Sequence, residues 1–362
     1  MKKTQSNVRP RLVADDNGFA DHKLVHVGPD GKFSRQKYAT LIQMGGSSLT
    51  TVDGGKQDAY IAERAPRTEG EAATFVQYTC SAAVTQPLHV RNQDYPVSEA
   101  NRVLMHHSLH KSGLAGEKVR MGVTLPFSDF FKADGTPNKE LHQRCIENFM
   151  QNNIKADGSA RNPEIIDVRV FPEALSAFYD WGLDEDGSTT NGYDYLEDSD
   201  GSMLIVDIGG STTDIVSLRM VEGNLLIDHV KSGSVKLGVL DARESINQEY
   251  QKSYGSGHNS ALSPRILNKI METKSLSTPA GKVDWTSQVD NIMWTVAQRI
   301  NGFIAEKVGN ISEYQVIHIV GGGAVLFKLW LQEILPGASF GDEYSIANGV
   351  LKYMIAQEED SE

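Results

Sequence analysis

The stretch LIVDIGGSTTD, from Leu204 to Asp214, decides how this chain is read. Its first half is an aliphatic, β-branched run of the kind that forms a buried strand. The run closes on Asp207, then on Gly209 and Gly210, then on the hydroxyl residues Ser211, Thr212 and Thr213. A core strand needs none of those polar groups. A site for a metal-bound phosphate uses all of them. Glycines permit close backbone approach, hydroxyls bond phosphate oxygens, and a carboxylate holds Mg2+ directly or through water. An ordinary glycine-rich hairpin explains the same letters.

Working outward, DIVSLRMV is a second strand, EGN a turn and LLIDHV a third strand. The same order occurs near residue 12. There RLVADD is a strand, Asn17-Gly18 a turn, and HKLVHV the returning strand; GPDG then turns into KFSRQKYATLI. Such an echo is the signature of a duplicated domain. In the first copy Asp16 stands where Asp207 stands in the second, with Lys23 on the next strand as a point charge for phosphate. Two such turns would hold a polyphosphate and its metal.

Helices are expected between these strands. Ser98 caps one that runs to about His110 and ends at Gly113. PEALSAFYDW forms another, with Pro172 in its first turn, after the strand IIDVRV. Glu173 at that helix start either stabilises the helix dipole or polarises a water for phosphoryl transfer. Val289, Ile292, Met293, Val296, Ile300, Phe303 and Ile304 make an i, i+3, i+4 stripe between Val289 and Val308, which is core packing. Strands mixed with helices give an α/β class.

VIHIVGGGAVLFKLWL places a strand over Val316–Val320 before Gly321, Gly322, Gly323 and Ala324, and then a helix. A glycine-rich strand-to-helix turn lets a base, ribose or phosphate lie against backbone and helix N-terminus. The chain has no G-x-x-x-x-G-K-[ST] loop and no G-x-G-x-x-G spacing after an N-terminal βαβ unit.

Bulk properties set limits on function. The 362 residues with 40% hydrophobic content suffice for two domains. A net charge of −12 argues against direct, sequence-independent binding of nucleic acid, which needs clustered Lys and Arg. Cys80 and Cys145 lack metal-type spacing and suit ordinary thiols of a reducing compartment. The basic start MKKTQSNVRPRL is not followed by a signal-peptide core, and no run approaches the roughly 18 apolar residues of a membrane span. A cytoplasmic protein that does not bind membrane is expected, ending in a short frayed EEDSE tail.

The ordered set DNG…K, Pro-Glu-Ala, DIGGSTTD and IVGGGA resembles the actin-like ATPase superfamily. Tyr78, VLMHHSLHKSGL at 103–114, VTLPFSDFF at 123–131, VFPEALSAFYD, SVKLGVLDARESI and YSIANG at 344–349 resemble its plasmid-segregation branch, the ParM/StbA family. The resemblance implies an actin-like (ribonuclease H-like) fold of duplicated domains with a nucleotide cleft between them. The first domain would span 1–182, an acidic loop 183–202, and the second domain 203–340. Residues 341–362 would form a second hinge element, the return to the first domain and the C-terminal tail.

It also implies an ATPase whose filaments assemble with bound ATP and fall apart after hydrolysis. Asp16 and Asp207 would serve the magnesium, with Asp15 an alternative to Asp16; Glu173 would orient the attacking water. Asn17, Gly18, Phe19 and Lys23 would meet phosphates opposite Gly209, Gly210, Ser211 and Thr212, while Gly321–Ala324 would line the nucleoside of ATP or GTP. Asp214 matches an acidic position after the second turn. Phe19 and Ala20 depart from the family, which commonly has hydroxyl residues there. The implied partners are further copies of the chain in a polar filament and a DNA-binding adaptor (ParR-type) on a plasmid centromere. A small-molecule kinase on the same core and a non-hydrolysing scaffold are the rival readings.

Overall fold

The computed structural model describes residues 9–46, 52, 58–66, 71–81, 84, 86–254 and 261–359. The first eight residues and residues 360–362 of the expected tail lie outside them; Glu358 of that tail is helical and bonded to Arg120. The chain forms two compact units. One holds residues 1–125, 129–190 and 346–362, the other 126–128 and 191–345. Among the described residues, no helix is long and apolar enough to cross a membrane.

We number the strands of the two main sheets in chain order. In the first unit these are β1 (Arg11–Asn17), β2 (Asp21–Val27), β3 (Phe33–Ala39), β4 (Lys118–Leu125) and β5 (Glu164–Pro172). The second unit has β6 (Ser202–Ile208), β7 (Thr213–Val221), β8 (Asn224–Ile227), β9 (Val316–Val320) and β10 (Ser339–Phe340). The sheet orders are β3-β2-β1-β4-β5 and β8-β7-β6-β9-β10, and the short strand Gly233–Val235 adds a sixth member to the second sheet by pairing with β7. Each begins as an antiparallel meander and continues with two parallel crossings. The echo in the sequence is therefore a repeated topology.

The first unit adds a second sheet made by Ile42–Met44, Thr74–Cys80, Ala59–Arg64 and Ile154–Ala156. Helix α1 (Glu99–Lys111) packs on both of its sheets, with Met105 and Leu109 in one core and Val103 and Leu104 in the other. Ser98 caps α1 as expected, its hydroxyl accepting the Asn101 N–H at 3.1 Å. Helix α2 (Glu173–Gly182) follows β5 directly. Pro172 is the N-cap with extended backbone (φ −78°, ψ 129°), so Glu173, not the proline, opens the helix.

Residues 183–202, expected to be an unstructured acidic loop, contain helix α3 (Asn191–Asp198). Leu196 is fully buried and anchors it; one apolar side chain leaves no periodicity to read. The strand expected through LLIDHV stops at Ile227, because the Asp228 carboxylate accepts the N–H groups of Val230 and Lys231 and turns the chain.

In the second unit, helices α4 (Val239–Tyr254), α5 (Thr286–Val308) and α6 (Gly322–Ile334) share one core with the sheet. The stripe from Val289 to Ile304 faces that core, with Ile292 and Phe303 at its edge. Helix α7 (Ser345–Glu359) packs in the first unit against α2 and β4. A Cβ on Gly349 would stand 1.8 Å from the Ser176 carbonyl oxygen, so only glycine lets the two helix backbones touch. Lys352 donates to the carbonyls of Asp180 and Leu183, both at 2.7 Å, and caps the end of α2. Those contacts fix the helix that begins with Glu173. Cys80 and Cys145 are buried free thiols, and burial pushes Cys145 up to about 12.

Candidate functional site

Consecutive strand residues point to opposite faces, and this separates Asp15 from Asp16. Asp15 is completely buried and accepts from His22 Nδ1 at 2.8 Å. Asp16 lies across the hairpin from Lys23, whose ammonium reaches its Oδ2 at 2.5 Å; the Thr124 hydroxyl is 3.4 Å from Oδ1. The Asn17 side-chain oxygen accepts the Thr124 backbone N–H at 2.9 Å, tying the turn to the neighbouring parallel strand. Gly18 does not need a positive φ. Its constraint is space: a Cβ there would stand 3.2 Å from the Asp21 carbonyl, while its own carbonyl accepts the Thr40 hydroxyl at 2.7 Å. Phe19 is half-buried, its ring centroid 5.3 Å from that of Tyr95.

The second turn repeats the register. Asp207 pairs with Asp214 as Asp16 pairs with Lys23, residue i with i+7 in both hairpins. The Gly209 N–H closes the turn on the Thr212 carbonyl at 2.9 Å. The carbonyls of Gly209 and Gly210 accept from Val239 and Leu240 at 3.1 and 2.8 Å, and so cap α4. Behind them a Cβ on Gly238 would come within 2.6 Å and 2.7 Å of those carbonyl oxygens. The close approach expected of the glycine pair is thus used first by the protein's own chain. Ser211 is buried; Thr212 is partly exposed. Asp214 is fully buried and accepts the Phe127 N–H at 3.1 Å and the Ser234 hydroxyl, which makes it a backbone tether in its unit.

The glycine run meets this same turn. Val320 pairs with Asp207 in the parallel ladder, so Gly321 emerges beside the carboxylate with φ +88°. A Cβ on Gly321 would stand 2.3 Å from Asp207 Oδ1, and one on Gly323 2.2 Å from Ile208 Cγ2. Bare backbone and the N-terminus of the 13-residue helix α6 therefore lie against Asp207. Hard carboxylate oxygens and a cradle that a methyl would fill suit a nucleotide with its magnesium. Within their own units, Asp16 joins Lys23, and Asp207 joins Gly321–Ala324. Glu173 sits part-buried at the first position of α2, held from below by Lys352 and Gly349. Sequence reasoning missed Thr124, Thr40, Tyr95 and Gly238, all distant in sequence from the turns they support.

Similarity to known proteins agrees with this fold. Residues 69–182 match the family described as plasmid segregation protein ParM, N-terminal, and residues 205–333 match archaeal actin homologue MreB-like, C-terminal. A 15-stranded ParM filament structure from Clostridium botulinum has a TM-score of 0.72 at 18% identity, covering 96% of this chain and 99% of that one. The chain has the actin-like fold. The actin-like protein Alp7A gives a TM-score of 0.72 at 12% identity, covering 97% of each chain. The archaeal actin homolog Ta0583 in complex with ADP gives 0.68 at 18% identity, covering 96% and 99%. At such identities the actin-like chain shares the fold of these structures. No curated protein matches it by sequence.

Proposed function

We propose that this actin-like chain is an ATPase that polymerises with bound ATP, disassembles after hydrolysis, and moves plasmid DNA through a centromere-bound adaptor. The observation that carries this reading is the repeated hairpin, with Asp16 and Asp207 at equivalent strand ends and the same i to i+7 register. Two copies of one turn suit a ligand with several phosphates. The ParM match over residues 69–182 supports the segregation role.

In this reading Asp16 and Asp207 hold Mg2+, which neutralises charge on the phosphates when bound. Asp16 is preferred to Asp15 because His22 engages Asp15 within the core. Lys23 and the backbone N–H groups of Gly18 and Phe19 bind phosphate oxygens from the first turn, and Gly209, Gly210, Ser211 and Thr212 from the second. Asn17 contributes by tying the turn to Thr124. Gly321–Ala324 accept the nucleoside against bare backbone. Glu173, fixed at the start of α2, orients the attacking water, a role of positioning more than of bond chemistry.

Head-to-tail stacking of identical copies is a heterologous contact that does not close, and so extends as a filament. ATP favours the polymerising state by its differential affinity, and hydrolysis removes that bias. The net charge of −12 suits a basic, DNA-binding adaptor as the link to the plasmid. Sedimentation in Mg-ATP, Mg-ADP and no nucleotide tests the proposal: protein should pellet with ATP and stay in solution with ADP. Equal pelleting in all three conditions would identify a non-hydrolysing scaffold instead.

A further inference from the structure

Asp15, His22 and Tyr95 form a buried chain behind the first turn, with exposures of 0%, 0% and 2%. His22 Nδ1 lies 2.8 Å from Asp15 Oδ2, and its Nε2 lies 2.8 Å from the Tyr95 hydroxyl. A carboxylate only accepts, so Nδ1 donates to Asp15, and in the neutral ring Nε2 then accepts from the phenol. Burial, reinforced by the nearby Asp15, pushes the phenol well above its usual value, which keeps it a donor. The other Asp15 oxygen has no partner among the described residues, so His22 alone satisfies this carboxylate.

Tyr95 also reaches the turn itself. Its ring packs on Phe19, and its hydroxyl neighbours Thr40, whose own hydroxyl donates to the Gly18 carbonyl. Asp15 lies on the strand entering the turn, His22 on the strand leaving it, and Phe19 between them. Tyr95 is fixed in turn by the cap of α1, since its carbonyl accepts the Ser98 hydroxyl at 2.8 Å. Tyr95 thus touches the turn at Phe19 and the leaving strand at His22, and is linked to the entering strand through the His22–Asp15 bond. Phe19, within the turn, supplies the ring contact to Tyr95.

We infer that Tyr95 and His22 are positioning residues of the first phosphate turn, holding its backbone N–H groups and the Asp16 carboxylate ready for the phosphates of a nucleoside triphosphate. The inference rests on the reading of that turn as a phosphate site. Preorganised donors bind more tightly because less freedom is lost on binding. A ligand without phosphates gains nothing from them.

The test compares Mg-ATP and adenosine affinities of the wild-type chain and Tyr95→Phe, with melting curves of both. Tyr95→Phe keeps the ring packing and removes one hydroxyl. It should weaken Mg-ATP about tenfold, leave adenosine within about twofold, and melt within a few degrees of wild type. If Tyr95→Phe does not fold, Phe19→Leu carries the same comparison, with an expected Mg-ATP loss of about threefold. A wild type that binds Mg-ATP and a variant with unchanged ATP affinity would overturn this inference and leave the proposed function standing. Equal weakening of ATP and adenosine would also overturn it, showing a purely structural role. A wild type that binds no Mg-ATP would overturn both.

Discussion

Asp207 and Gly321 are packed so closely that a single methyl cannot enter between them. The Cβ of any other residue at 321 would stand 2.3 Å from Asp207 Oδ1, and the backbone there has φ +88°. Gly321→Ala is therefore expected to cost about 2 kcal/mol or more of stability and to abolish nucleotide binding. Gly322→Ala is the control: its Cβ would meet nothing within 4 Å, and its stability should stay within about 0.5 kcal/mol of wild type. Thermal melts of the pair check the stability difference, and ATP titration of Gly321→Ala checks the loss of binding. Equal behaviour of the two variants would contradict the account.

The two acidic residues of the second hairpin should separate by function. Asp207→Ala is expected to weaken Mg-ATP binding by about a hundredfold, with the melting temperature nearly preserved. Asp214→Ala strips the buried Phe127 N–H of its acceptor and should cost about 1–3 kcal/mol of stability. Calorimetric titration with Mg-ATP, beside urea unfolding, tells them apart. Undiminished affinity in Asp207→Ala would remove that residue from the metal site.

Glu173 opens a helix that is locked at its far end by Lys352. Glu173→Ala should keep ATP affinity and assembly while slowing phosphate release about a hundredfold, leaving long-lived polymers. Disassembly at the wild-type rate would exclude Glu173 from hydrolysis.

Stability should also fall in mild acid. Burial pushes His106 down to about 3, and His107 and His318 down to about 4. These rings stay neutral in the folded chain, whereas the unfolded chain protonates them below about pH 6.5. Their contribution is complete above that value and is lost as the pH falls from there towards 4, by about 1.4 kcal/mol per pH unit for each ring. Urea midpoints measured at about pH 7.5 and about pH 5 should fall accordingly; a flat profile would contradict this assignment.

Local signals in the chain carried much of this structure. Ser98 announces its helix by chemistry confined to three residues, and the aspartate-glycine turns announce the two hairpins. The unread features depend on contacts across long sequence separations. Tyr95 meets His22 and Thr124 meets Asp16 only because the parallel strand β4 and the helix α1 are laid beside the first hairpin. Gly238 and Gly349 are glycines because distant backbones approach them, which no local pattern encodes. Helix α3 escaped because Leu196 alone anchors it. The proposal of Asp16 rather than Asp15 for the metal likewise rests on the partner of each carboxylate.

Light scattering on addition of Mg-ATP, with phosphate release followed in the same tube, tests the central claim most directly. Scattering should rise at once and then decay as phosphate accumulates, and Asp207→Ala should give no rise. A flat wild-type trace, or scattering that persists after the ATP is consumed, would contradict the account.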